Sequence, residues 1–142
     1  MTINQAQDQI IDEFALFDDW TDKYEYLIDI GKKLPPLPET YKTPDNVIKG
    51  CQSTVWLHAE PRQDALHFNA DSEATIVKGL VSLLIRVLSD HAPADIAAAD
   101  LYFIDRIGMS QHLAQTRSNG LASMVKQMKL YALAYQAKAA SK

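Results

Sequence analysis

Five residues, Leu34-Pro35-Pro36-Leu37-Pro38, set the strongest limit on what this chain can fold into. Proline lacks the backbone donor and biases the residue before it away from the helical region, so no helix crosses this point. The segment reads as an extended, stiff crossover leading to a turn at Thr43-Pro44-Asp45-Asn46. It separates a stretch patterned for helices from one patterned for strands. Upstream, Thr2 and Gln5 have the spacing of a capping box, and Ile3, Ala6, Ile10, Phe14 and Phe17 recur every three or four residues. A second helix is expected from Asp19 to Ile30, with Trp20, Tyr24, Leu27 and Ile28 on its apolar face and Gly31 in the left-handed position after its end.

Downstream, residues 54–59 are rich in β-formers and residues 65–70 alternate apolar with polar. The turn chemistry of Pro61-Arg62-Gln63-Asp64 joins them into a hairpin. Asp71 or Ser72 is expected to cap a long helix carrying Ile76, Leu80, Leu83, Leu84 and Val87, and Pro93 to open a short one. A brief strand or extended segment is expected around Asp100-Leu101-Tyr102, then a helical turn ending at Gly108. The last helix starts near Ser118 with Leu121, Met124, Met128, Tyr131 and Tyr135 facing inward. This order predicts an α+β domain over residues 1–142, a small antiparallel sheet packed against several helices.

Composition narrows the function classes. The 142 residues are 47% hydrophobic with net charge −4, which argues against disorder and against a nucleic-acid partner. The apolar run 80–88 is interrupted by Ser82 and Arg86 and is too short for a bilayer, and no basic residue precedes Lys23. A soluble, cytoplasmic protein is expected. Charge is polarised: residues 1–30 carry eight acids against Lys23, whereas residues 106–142 carry six bases and no acid. The first and last helices are expected to pack side by side and offset each other, the sharper alternative being a surface that orients a partner.

Cys51 is the single cysteine, so the chain has no internal disulfide and no thiolate set for a cluster. It lies in Lys49-Gly50-Cys51-Gln52-Ser53, where glycine lets another molecule approach the sulfur. An ordinary thiol is only about 3% thiolate at pH 7; Lys49, or Arg117 if the fold brings it close, would raise that fraction. The competing reading is a small buried hydrophobe. His58 and His67 could join Cys51 at a metal, but no spacing matches a zinc motif, and no metal or cofactor is expected. A Cys-His hydrolase would need His112 or His67 as base, and the usual nucleophile at a helix N-terminus is missing.

The string Gly50-Cys51-Gln52-Ser53-Thr54-Val55-Trp56 resembles the SufE family of sulfur-acceptor proteins, with its CsdE branch. Leu34-Pro35, Leu37 and Asn46 upstream extend the likeness. So do Asp71-Ser72, Ile76-Val77-Lys78-Gly79-Leu80, Leu113, Arg117-Ser118-Asn119-Gly120-Leu121 and Met124 downstream. Ala114-Gln115-Thr116 departs from the pattern, which has a proline ahead of the arginine motif. The resemblance implies an α+β fold like that of the cluster scaffold IscU. It also implies that Cys51 accepts persulfide sulfur from a pyridoxal-phosphate cysteine desulfurase of the SufS/CsdA kind, stimulates that enzyme and passes sulfur to iron–sulfur scaffold proteins. On this reading the chain is a carrier rather than an enzyme, and the pyridoxal cofactor is the partner's. Lys49, Gly50, Gln52, Lys78 and Arg117 are the expected loop-supporting or docking residues. The alternative is a regulatory binding module of a desulfurase in which Cys51 is structural.

Overall fold

A computed structural model describes residues 1–51, 53–109 and 115–140, with side chains for all of these but 115–119 and 139–140. Its first helix, α1 (Ile3–Phe14), opens with the capping box: Gln5 N–H donates to Thr2 Oγ1 at 3.1 Å and Thr2 N–H to Gln5 Oε1 at 2.9 Å. Ile3, Ala6, Ile10 and Phe14 form its buried stripe. Asp19 caps α2 (Trp20–Lys32) by accepting from Asp22 N–H at 2.9 Å. Gly31 lies inside this helix and not after its end, which corrects the sequence reading. A Cβ there would stand 2.8 Å from Gly79 N, and one at Gly79 would overlap the Leu27 carbonyl oxygen. A glycine near a helix end signals a left-handed cap and a close helix crossing alike; here it serves the crossing.

The proline segment leads through two short 3-10 turns, Glu39–Tyr41 and Pro44–Asn46, into the hairpin of β1 (Val55–Arg62) and β2 (Ala65–Ser72). The strands pair antiparallel from Val55↔Ser72 to Arg62↔Ala65. They run past the expected ends, so the turn is only Gln63-Asp64, with Gln63 left-handed at φ 56°. Val55, Leu57, Leu66, Phe68 and Ala70 bury one face, while Trp56, His58 and Glu60 oppose Asp71, Asn69 and His67 on the other.

The long helix α3 (Thr75–Leu88) is capped by neither Asp71 nor Ser72. Both belong to β2, which continues two residues beyond the alternating run. Val77, Leu80, Val81, Leu83, Leu84, Val87 and Leu88 of α3 are buried, as suits a central helix. Each fully buried aliphatic or phenyl side chain contributes about 1.5–3 kcal/mol of transfer free energy. Pro93 opens α4 (Pro93–Ala98) as expected. Of the two readings of Asp100-Leu101-Tyr102, the structure does not form the strand. The buried Gln7 amide donates to Asp100 O at 3.0 Å and accepts from Phe103 N–H at 3.1 Å, supplying the hydrogen bonds a neighbouring strand would have made.

A single turn, α5 (Phe103–Arg106), follows, and α6 (Gln115–Ala140) closes the chain, starting three residues before Ser118. Leu121, Met124, Met128 and Ala132 of α6 are buried, with Tyr131 and Tyr135 half-buried. The main neighbours of α6 are α4 and α3 rather than the acidic α1 that the charge pattern suggested. Among the contacts of α1, Glu13 pairs with Arg86 of α3 and accepts from the Tyr26 hydroxyl. Buried side chains from α1, α2, α3, α4, α5, α6 and both strands form one apolar cluster.

Candidate functional site

The segment carrying Cys51 is a loop tied at its base. Ile48 N–H donates to Val55 O at 2.9 Å, and Val47 bridges to Trp56, so residues 49–54 leave and re-enter the body of the protein at one place. Ile48 and Val55 are buried beneath that base. Ahead of it, Asn46 Nδ2 donates to Tyr41 O at 2.7 Å and stiffens the turn that the prolines begin. Behind it, Ser72 Oγ donates to Thr54 O at 2.8 Å and accepts from Ala74 N–H at 3.3 Å, so one hydroxyl ties the loop exit to the entry of α3.

The loop lies against α6. Gly50 has φ +91°, and a Cβ there would stand 2.5 Å from Ser123 Oγ, so both backbone and packing call for glycine. The sequence reading gave Gly50 the task of admitting a partner; here the residue first seats the loop on the last helix. Cys51 is half-buried, with its Sγ 3.5 Å from Gly120 O, and the thiol donates. Burial pushes this thiol up from its ordinary value. Lys49 is exposed at the loop entrance. A groove of about 400 Å³ runs alongside, between Val47 and Lys49 on one wall and Ser123, Lys126 and Leu130 on the other.

Lys78, expected at the loop or the docking face, pairs with Asp71, its Nζ 3.3 Å from Oδ1. The second carboxylate oxygen takes Lys42 Nζ, also at 3.3 Å, and Lys42 further reaches Glu39 at 3.3 Å and lies 5.3 Å from the Trp56 ring centroid. Burial opposes charge on Asp71, but the Ser72 N–H and the two ammonium groups outweigh it and hold the carboxyl below its usual range. Lys42 escaped the sequence reading, and Asp71 entered it as a helix cap and as part of the family pattern, not as the partner of two lysines. Strand alternation places Trp56 and Asp71 on the outer face, yet no local pattern pairs them with a lysine in the turn before.

His58 and His67 are held elsewhere. His67 Nδ1 is 2.7 Å from Asp90 Oδ1 and its Nε2 is 3.3 Å from Asn69 Oδ1, while His58 stacks on Tyr41 at 3.8 Å between centroids. Among the described residues no three His, Cys, Asp or Glu side chains gather as a metal would require. Gln52, His112 and the Arg117 side chain lie outside what the structure describes, although Arg117 falls within the span of α6. No described helix is long and apolar enough to cross a membrane.

Residues 8–132 match the family model SufE, the Fe-S metabolism associated domain. An uncharacterised SufE-like protein of Rhizobium etli is 44% identical over 127 residues, spanning 86% of this chain and 86% of that protein. Another from Rhizobium meliloti is 42% identical over 127 residues, 86% of this chain and 91% of its own. Among solved structures, the solution structure of a hypothetical protein from Thermus thermophilus superposes with a TM-score of 0.73. It covers 89% of this chain and 93% of that one at 18% identity, a likeness of fold.

Proposed function

The chain belongs to the SufE family of Fe-S metabolism associated domains, and on that footing we propose that Cys51 is a sulfur acceptor that takes persulfide sulfur from a cysteine desulfurase. The observation that carries the reading is the seat of Cys51, the single cysteine: a glycine-bearing loop tied at its base, with the sulfur half-covered by α6. The Cys51 thiolate attacks the outer sulfur of the donor's persulfide. A new S–S bond forms at Cys51, the donor's S–S bond breaks, and the donor cysteine leaves with the electron pair as a thiolate. The proton lost by Cys51 ends on that thiolate or in water, and no oxidant or reductant is consumed. Clearing the donor cysteine frees it for another turnover, which is how a carrier stimulates the enzyme without chemistry of its own. Pyridoxal phosphate stays with the desulfurase. The sulfur then goes to scaffold proteins that assemble iron–sulfur clusters, in the cytoplasm.

Shelter suits such a cargo, because a persulfide is readily reduced or oxidised in transit. It also favours a second reading: a half-buried thiol bonded to a carbonyl, its pKa raised, is what a structural cysteine looks like. On that reading the chain binds and regulates a desulfurase through its surface alone. Mass spectrometry after incubation with a cysteine desulfurase and free cysteine separates them. A gain of about 32 Da on Cys51, the mass of one sulfur, is expected. Cys51→Ser should keep the fold and lose all acceptance and stimulation, and full stimulation by the serine variant would establish the regulatory module instead.

A further inference from the structure

Asp71 and Ser72, side by side at the end of β2, touch the strap that leads into the segment carrying Cys51 and the exit of that segment. Ser72 Oγ holds the exit at Thr54 O. Asp71 Oδ2 holds Lys42, four residues before Asn46 and the start of the loop base. The strap from Glu39 to Asn46 crosses the outer face of the hairpin, with Tyr41 flat on His58 and the Lys42 ammonium beside Trp56. Its ionic anchor is sheltered, the side chains being 23% exposed at Lys42 and 11% at Asp71. The other arm of the same carboxylate holds Lys78, on the first turn of α3, which is not part of the strap.

We propose that Asp71 is the positioning residue of the cysteine loop. Through Lys42 it keeps the strap on the hairpin, and the strap in turn keeps the base at Val47–Ile48 closed and Cys51 against Gly120. Parting Lys42 from Asp71 frees the strap at its middle. The described holds that remain on the strap and loop are then the Tyr41 stack on His58, neutral hydrogen bonds, buried Ile48 and the packing of Gly50 on Ser123, none of them ionic, and the loop opens more often. This rests on the reading of Cys51 as an acceptor that must be uncovered, but it concerns how the thiol is held and is measured without sulfur.

The measurement is the alkylation of Cys51 by iodoacetamide in the full chain, since a half-buried thiol reacts through local opening. Rates are taken across a pH range and compared as thiolate rate constants, so that a shifted thiol pKa is not mistaken for opening. Lys42→Met keeps the length of the side chain and removes its charge; it should speed alkylation about threefold to tenfold. Asp71→Asn should do at least as much. Lys42→Arg restores the cation and should return the rate to within about twofold of the native protein. Lys78→Met cuts only the arm that does not reach the strap and should likewise stay within about twofold. A native rate in Lys42→Met overturns the proposal, and so does equal acceleration in Lys78→Met, which would mark general loosening. If Asp71→Asn does not fold, the three lysine variants decide. Acceleration without any sulfur adduct on Cys51 would sink the carrier function and leave the positioning role standing.

Discussion

Gly31 and Gly79 let α2 and α3 meet backbone to backbone, whereas Gly50 lets the cysteine loop rest on α6 at Ser123 and Gly120. The two regions use the same residue to opposite ends. At the helix crossing, each glycine faces backbone atoms that cannot move, and the surrounding side chains, Leu27, Leu80, Leu83 and Leu84, are buried. That contact is all-or-none. At the cysteine loop the neighbour of Gly50 is a serine side chain, and above its tied base the described holds include single polar contacts: Cys51 to Gly120, Ser72 to Thr54, Lys42 to Asp71. Such contacts can be parted one at a time at little cost to the rest. On the proposal above, the helix crossing is the rigid support and the cysteine loop the part that opens.

The widest separation between the two regions should come from Gly79→Ala. Its new methyl would overlap the Leu27 carbonyl, and the helices must part; stability should fall by about 2–4 kcal/mol in denaturant titration. If the loss is under about 0.5 kcal/mol, the crossing is not the rigid element of the pair.

Glu13→Gln probes the polar edge of that same half. The carboxyl is held below its usual range chiefly by the Arg86 guanidinium, against burial and with help from the Tyr26 hydroxyl. Burial and Glu13 push Tyr26 up to about 12. Because the folded Glu13 pKa lies below the unfolded one, its contribution is complete above about pH 4.3 and is lost as pH falls through the folded value. The variant should lose about 1–2 kcal/mol at neutral pH and show a smaller further loss in acid than the native protein. Parallel acid curves for the two proteins would show that the pair does not act this way.

Gly50→Ala should have the smallest effect on global stability, about 1 kcal/mol or less, because the loop can leave α6 without unfolding what lies beneath. Its signature is local: alkylation of Cys51 should quicken several-fold, from a native rate well below that of an unstructured cysteine peptide. A native protein already alkylated at the peptide rate would mean that Cys51 is not sheltered.

Periodic burial was legible in the sequence, and so were several features with a local cause. The stripe Ile3, Ala6, Ile10, Phe14, the Thr2–Gln5 box, the hairpin and Pro93 at the start of α4 all follow from spacing or from the chemistry of one residue. The GCQSTVW string also marked Cys51 as the residue to examine. Where a residue serves two purposes equally well, the pattern misled. Gly31 reads as a cap and is a crossing, and Asp71 and Ser72 read as caps and are the end of a strand.

By itself, then, the sequence determined the helical and extended segments, the interruption at Leu34–Pro38 and the presence of one thiol in a glycine-bearing loop, since each depends on residues within a turn or two of one another. Only the tertiary structure decided that α6 packs on α4 and α3, that Gly120 and Ser123 receive the cysteine loop, and that Asp71 joins Lys42 to Lys78. Most of those are meetings of residues far apart along the chain, which no local pattern can announce. The burial that raises the Cys51 thiol and the charge that lowers the Asp71 carboxyl exist only once the chain has closed around them.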